Sequence, residues 1–84
     1  AITDAQHAKA LEIAFENGPI TGYGLLIKSL RQGYAEIGFK RGRNICIELN
    51  KYLMGRGVII KKDKAYVYQP EALNSKDGSS SEEV

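Results

Sequence analysis

Residues 43–60, RNICIELNKYLMGRGVII, carry the reading that decides the fold. Ile45, Leu49, Tyr52 and Leu53 recur there at three- and four-residue steps, with Cys46 beside them, which predicts an apolar stripe on a helix from about residue 43 to 54. Arg43, Asn44, Glu48 and Lys51 fall away from that stripe. Gly55-Arg56-Gly57 ends the helix, and Val58-Ile59-Ile60 then begins a β-prone run. A second such run, Ala65-Tyr66-Val67-Tyr68, follows across Lys61, Lys62, Asp63 and Lys64, so the pair predicts a hairpin with a lysine-rich tip.

Working backwards, the stretch 33–39, GYAEIGF, holds two glycines and no sustained period, which predicts a turn or short helical piece. Gly33 is expected to end a second helix, from about residue 23 to 32, whose apolar side is Leu25, Leu26, Ile27 and Leu30. Thr21 is placed to cap it, directly after the β-branched pair Ile20-Thr21. A first helix is predicted from about residue 4 to 16, begun by Thr3 or Asp4 as N-cap, striped by Ala8, Leu11 and Phe15, and stopped by Asn17-Gly18-Pro19. Working forwards, the chain from Pro70 turns to Asn, Ser, Asp, Gly and Glu, a composition that buries too little apolar surface to order itself. The expected organisation is one domain over 1–69 and a flexible, acidic tail over 70–84.

Eighty-four residues leave room for one small core and little for a deep catalytic cleft, because a chain this short buries only about 60% of its unfolded surface. Composition, 43% hydrophobic and 26% charged, is that of an ordinary globular domain, and no apolar run is long enough to span a membrane. The absence of a signal segment gives a cytoplasmic, nucleoid-associated expectation. One cysteine, Cys46, excludes an intrachain disulfide and a cysteine-pair metal clip. The formal net charge of +2 hides a strong asymmetry. Residues 20–69 hold ten basic against three acidic side chains, a net +7, between flanks of −2 and −3.

The order of helix, short strand, helix, turn, basic helix and hairpin resembles the winged helix-turn-helix family over residues 8–69. The 43–60 stretch is similar to that family's recognition helix running through a glycine turn into the first wing strand, with Leu53, Gly57 and Val58 matching its Leu-x-x-x-Gly-Val/Ile ending. Leu25-Leu26 and Gly33-Tyr34 before a basic helix also look like the gamma domain of bacterial DNA translocases, although residues 35–41 read as an insertion against it. The resemblance implies a small, mostly helical α+β fold of three helices and a C-terminal wing, which binds double-stranded DNA. In that setting Lys40, Arg41, Arg43, Asn44 and Lys51 lie on or just before the recognition helix, Lys61, Lys62 and Lys64 on the wing, and Lys28 and Arg31 on the second helix.

The chemistry suits a polyanion. Arg forks onto guanine, Asn pairs with adenine, and Lys holds phosphate while condensed counterions leave. Arg43 and Asn44 are the leading candidates for base contact, with N-capping of the third helix an equal alternative for Asn44. Glu48 is expected to pair with Lys51 or Arg41. His7 has no second ligand at metal spacing and is expected on the surface; Cys46 is expected to be a small buried hydrophobe without a His partner. Tyr52 is assigned to the core and Tyr66 with Tyr68 to one face of a half-exposed strand, which leaves Tyr23 and Tyr34 open. Gly38-Phe39-Lys40-Arg41-Gly42 lacks the spacing and ending of a phosphate loop and reads as a turn. No catalytic constellation, cofactor site or metal site is evident. The resulting expectation is a non-enzymatic transcription, partitioning, recombination or replication accessory factor, monomeric or a homodimer. The alternative is a winged-helix module that docks on a protein partner, with RNA binding a third option.

Overall fold

The computed structural model describes residues 2–73, a mostly helical α+β unit. Three helices, α1 (Asp4–Ala14), α2 (Tyr23–Glu36) and α3 (Arg43–Gly55), pack with a three-stranded antiparallel sheet of β1 (Ile20–Thr21), β2 (Ile59–Lys62) and β3 (Ala65–Tyr68). A last helical turn at 70–73 follows the sheet. The acidic stretch 74–84, expected to be a flexible tail, lies outside the described residues.

Helix α1 opens on Thr3, whose hydroxyl accepts from the Gln6 amide while the Gln6 side chain accepts from the Thr3 amide. This reciprocal capping box satisfies two amides that the first turn leaves without helical partners. Helix α2 does not stop at Gly33. It continues to Glu36 and closes in a Schellman motif, with the Gly38 amide donating to the Ala35 carbonyl and the Phe39 amide to that of Tyr34. Gly38 supplies the left-handed residue the motif needs, at φ 95°. Gly33 instead sits buried inside the helix, where a Cβ would run into the carbonyl oxygen of Ala10. The absence of a side chain therefore sets how closely α2 approaches α1. Thr21 lies in β1 and does not cap α2; Gly22 holds the cap position, with no side-chain hydrogen bond.

The sheet runs β1-β3-β2, so the short strand after α1 completes the hairpin from its β3 side. Ile20 pairs with Tyr66, and Ile59, Ile60, Lys61 and Lys62 pair with Tyr68, Val67, Tyr66 and Ala65 in turn. Strand β2 thus extends to Lys62, and only Asp63 and Lys64 form the tip. Asp63 takes φ 59°, the left-handed conformation that tight hairpin turns demand at their first central residue. Ile20, Ile59 and Tyr66 present one face of this sheet to the core, where they meet Leu11 and Phe15 of α1, Leu26, Ile27, Leu30 and Tyr34 of α2, and Cys46 and Leu53 of α3. Leu73 belongs to the same core, so packing runs on past residue 69.

Two faces differ from expectation. On α3 the buried positions are Cys46, Asn50 and Leu53, while Ile45 and Tyr52 are 49% and 47% exposed. Spacing of four and three still defines the stripe, but it lies about a quarter turn from the one the aliphatic residues suggest, because Asn50 occupies a core position. On α2 the face is Leu26, Ile27, Leu30 and Tyr34, and Leu25 is exposed.

Candidate nucleic-acid interface

All ten side chains singled out in the sequence, Lys28, Arg31, Lys40, Arg41, Arg43, Asn44, Lys51, Lys61, Lys62 and Lys64, are exposed. Four of them converge. Lys28 and Arg31 leave one side of α2, Lys40 and Arg41 leave the loop before α3, and together with Gln32 and Ala35 they line an open groove of about 260 Å³. No carboxylate stands among those lining residues. Arg41 is held in place within it: its guanidinium donates to the Lys40 carbonyl oxygen at 3.1 Å and lies 5.4 Å from the centre of the Phe39 ring. Arg31 and Arg41 both exert their field on the Cys46 thiol, but burial dominates and pushes that thiol above its ordinary range. Cys46 is fully buried, which makes it a poor nucleophile.

Arg43 and Asn44 follow the groove directly, at the first two positions of α3. Gly42 is the N-cap and makes no side-chain cap, so the capping alternative for Asn44 is excluded and its amide group faces solvent. Among the described residues no ion pair joins Glu48 to Lys51 or Arg41; the pairing expected there is not made.

The β2–β3 hairpin divides its lysines. Lys61 and Lys62 are successive residues of β2 and leave opposite faces of the sheet. Lys61 lies on the core side opposite Tyr66, with its ammonium 5.5 Å from the ring centre. Tyr23, at the start of α2 and 40% exposed, meets the same Tyr66 ring edge-on at 6.4 Å. Tyr66, itself buried and on the same face of the partly exposed β3 as Tyr68, thereby ties the hairpin to the helix that carries Lys28 and Arg31.

One basic residue of the positive segment is spent internally. Arg56 donates to Asp4 at 2.8 Å and to the Tyr52 hydroxyl at 2.8 Å, linking the end of α3 to the start of α1. The bond to Asp4 is the main reason its guanidinium is held protonated even more firmly than usual. Two further expectations are corrected nearby. Tyr52 is a surface ring, tilted against His7 and facing the Arg56 guanidinium. His7 is buried, bonded to Tyr34, and not on the surface.

Sequence reading missed Gln32 and Ala35 as groove residues, although the 28, 31, 32 and 35 spacing places them on one helical side. Among the described residues no cluster of His, Cys, Asp and Glu is suited to hold a metal ion, and no helix is long and apolar enough to cross a membrane. No protein-family model, curated protein or solved structure matches this chain.

Proposed function

We propose that this chain is a winged-helix domain that binds double-stranded DNA without catalysis, with α3 directed at the major groove and β2–β3 as the wing. The observation that carries the reading is the groove: four cations from two separated stretches of chain meet there with no carboxylate among the lining residues. Bringing like charges together opposes folding, and an anionic partner relieves it. Phosphodiesters repeat along duplex DNA at the density such a surface needs. The uncapped first turn of α3 lies next to the groove and favours negative charge through its backbone amides. In this reading Lys28, Arg31, Lys40 and Arg41 grip the backbone, Arg43 and Asn44 reach base edges, Lys51 holds a second phosphate along α3, and Lys61, Lys62 and Lys64 flank a neighbouring stretch of backbone. The order of elements, with β1 completing a β1-β3-β2 sheet, supports the winged layout.

The test is fluorescence anisotropy of a labelled random duplex titrated at several salt concentrations. Affinity is expected to fall linearly with log salt, with a slope near −0.9 per phosphate neutralised. Arg31→Ala and Arg41→Ala are each expected to flatten that slope by about one phosphate. A protein-docking module gives no salt-dependent duplex affinity, and that result overturns the reading; tighter binding of duplex RNA than of DNA does so as well.

A further inference from the structure

Helix α3 carries a large aliphatic side chain where a core helix does not need one. Ile45 stands in the first turn of α3, 49% exposed, while the helix buries Cys46, Asn50 and Leu53 on a different side. Glu48, Leu49 and Tyr52, three, four and seven residues on, share its side of the helix, Asn44 precedes it, and Lys40 and Arg41 line the groove just before α3. An exposed hydrocarbon side chain in the helix turn that follows a cationic groove fits a partner with an anionic backbone and a small apolar group beside it. The DNA major groove is such a partner, because every thymine places a 5-methyl group on its floor between two phosphate backbones.

We infer that Ile45 is a specificity-determining residue that reads a thymine methyl, next to Asn44 reading an adenine edge; this rests on the DNA-binding reading above. The N-terminal residues of a helix lying in the major groove are those that reach the bases, and Arg43, Asn44 and Ile45 are the first three of α3. Asn44 offers one acceptor and two donors, the complement of adenine N6 and N7, and Ile45 offers only hydrocarbon. A uracil at the same step presents the same hydrogen-bonding edge and lacks only the methyl group.

The experiment uses the full chain and a randomised duplex pool, from which preferred duplexes are selected and resynthesised with uracil in place of thymine, first throughout and then one position at a time. Wild-type affinity is expected to fall about fourfold at one thymine, the factor that corresponds to one methyl group removed from an apolar contact. Ile45→Ala is expected to bind the thymine duplex about as weakly as wild type binds the uracil one, and to be insensitive to the exchange. Ile45→Val keeps a branched hydrocarbon and should retain sensitivity. Because Ile45 is half exposed, neither change threatens the core. Salt-dependent binding that ignores thymine-to-uracil exchange, or an equal loss in Ile45→Ala and wild type, overturns the inference and leaves the DNA reading standing; absence of duplex affinity in wild type overturns both.

Discussion

His7 Nδ1 and Tyr34 Oη lie 2.6 Å apart in the interior, joining α1 to α2 across 27 residues of sequence. The rings meet edge to face, and the fully buried hydroxyl has Nδ1 as its hydrogen-bond partner. Burial pushes the imidazole below its ordinary value; Arg56 adds to the effect and Asp4 opposes it. Burial likewise raises Tyr34, so the phenol stays protonated. The folded state therefore holds His7 neutral. A base whose folded value is depressed leaves stability undiminished above its unfolded value of 6.5 and withdraws it as pH falls from there through the folded value. Denaturant unfolding at a series of pH values should show stability declining below about pH 6.5, and His7→Phe should remove that component. Tyr34→Phe should cost about 1–3 kcal/mol at neutral pH, because it leaves Nδ1 buried without its hydrogen-bond partner.

Gly33 and Gly24 give opposite answers to the same substitution. Both lie in α2, yet a Cβ at Gly33 meets the Ala10 carbonyl and one at Gly24 meets nothing. Gly33→Ala must push α1 away from α2 and should destabilise by about 1–3 kcal/mol. Gly24→Ala has open space and a helical backbone, so it should stabilise by about 0.4–1 kcal/mol by restricting the unfolded chain. Thermal or denaturant midpoints of the two variants check the pair.

Asn50 is 2% exposed in the middle of α3, and among the described residues its Oδ1 has no hydrogen-bond partner, while Nδ2 reaches the Met54 sulfur at 3.5 Å. A buried acceptor left unpaired costs about 1–3 kcal/mol. Asn50→Leu keeps the branching and removes the polar atoms, and is expected to raise stability by about 1 kcal/mol. A fall in the denaturation midpoint would show that Oδ1 is satisfied in solution.

Asn50 also explains what the sequence concealed. Element types were legible because they depend on local signals: the Thr3 cap, the Gly18 and Gly57 stops, and the alternation of Ile59 through Tyr68. The buried face of α3 was not, since a polar residue at its centre shifted the apparent stripe toward Ile45 and Tyr52. Gly33 read as a helix end because its role, the close approach of α1, is set by a residue 23 positions earlier. His7 read as a surface residue for the same reason, its partner being Tyr34. The cations themselves were legible, and so was their exposure. Which of them share a groove required knowing that α2 continues through Glu36 and returns Lys40 and Arg41 beside Lys28 and Arg31.

Arg56 separates charge that builds the fold from charge that faces outward. Its guanidinium bonds Asp4 and Tyr52 and lies 5.6 Å from the Tyr52 ring centre, so the fold already uses the cation. Arg56→Met keeps the hydrocarbon stem and removes the charge, and should destabilise by about 1 kcal/mol, the value of a well-formed, partly exposed pair. On the proposed DNA-binding reading, the same change should leave the salt slope as it is in wild type. Changing Lys61, Lys62 and Lys64 together to Ala should do the reverse: little effect on stability beyond the Lys61 contact with Tyr66, and a slope flatter by about one for each phosphate lost. Parallel denaturation and salt-titration series distinguish the two behaviours. A steep loss of slope in Arg56→Met would mean that the Asp4 bond opens on binding and delivers Arg56 to the backbone.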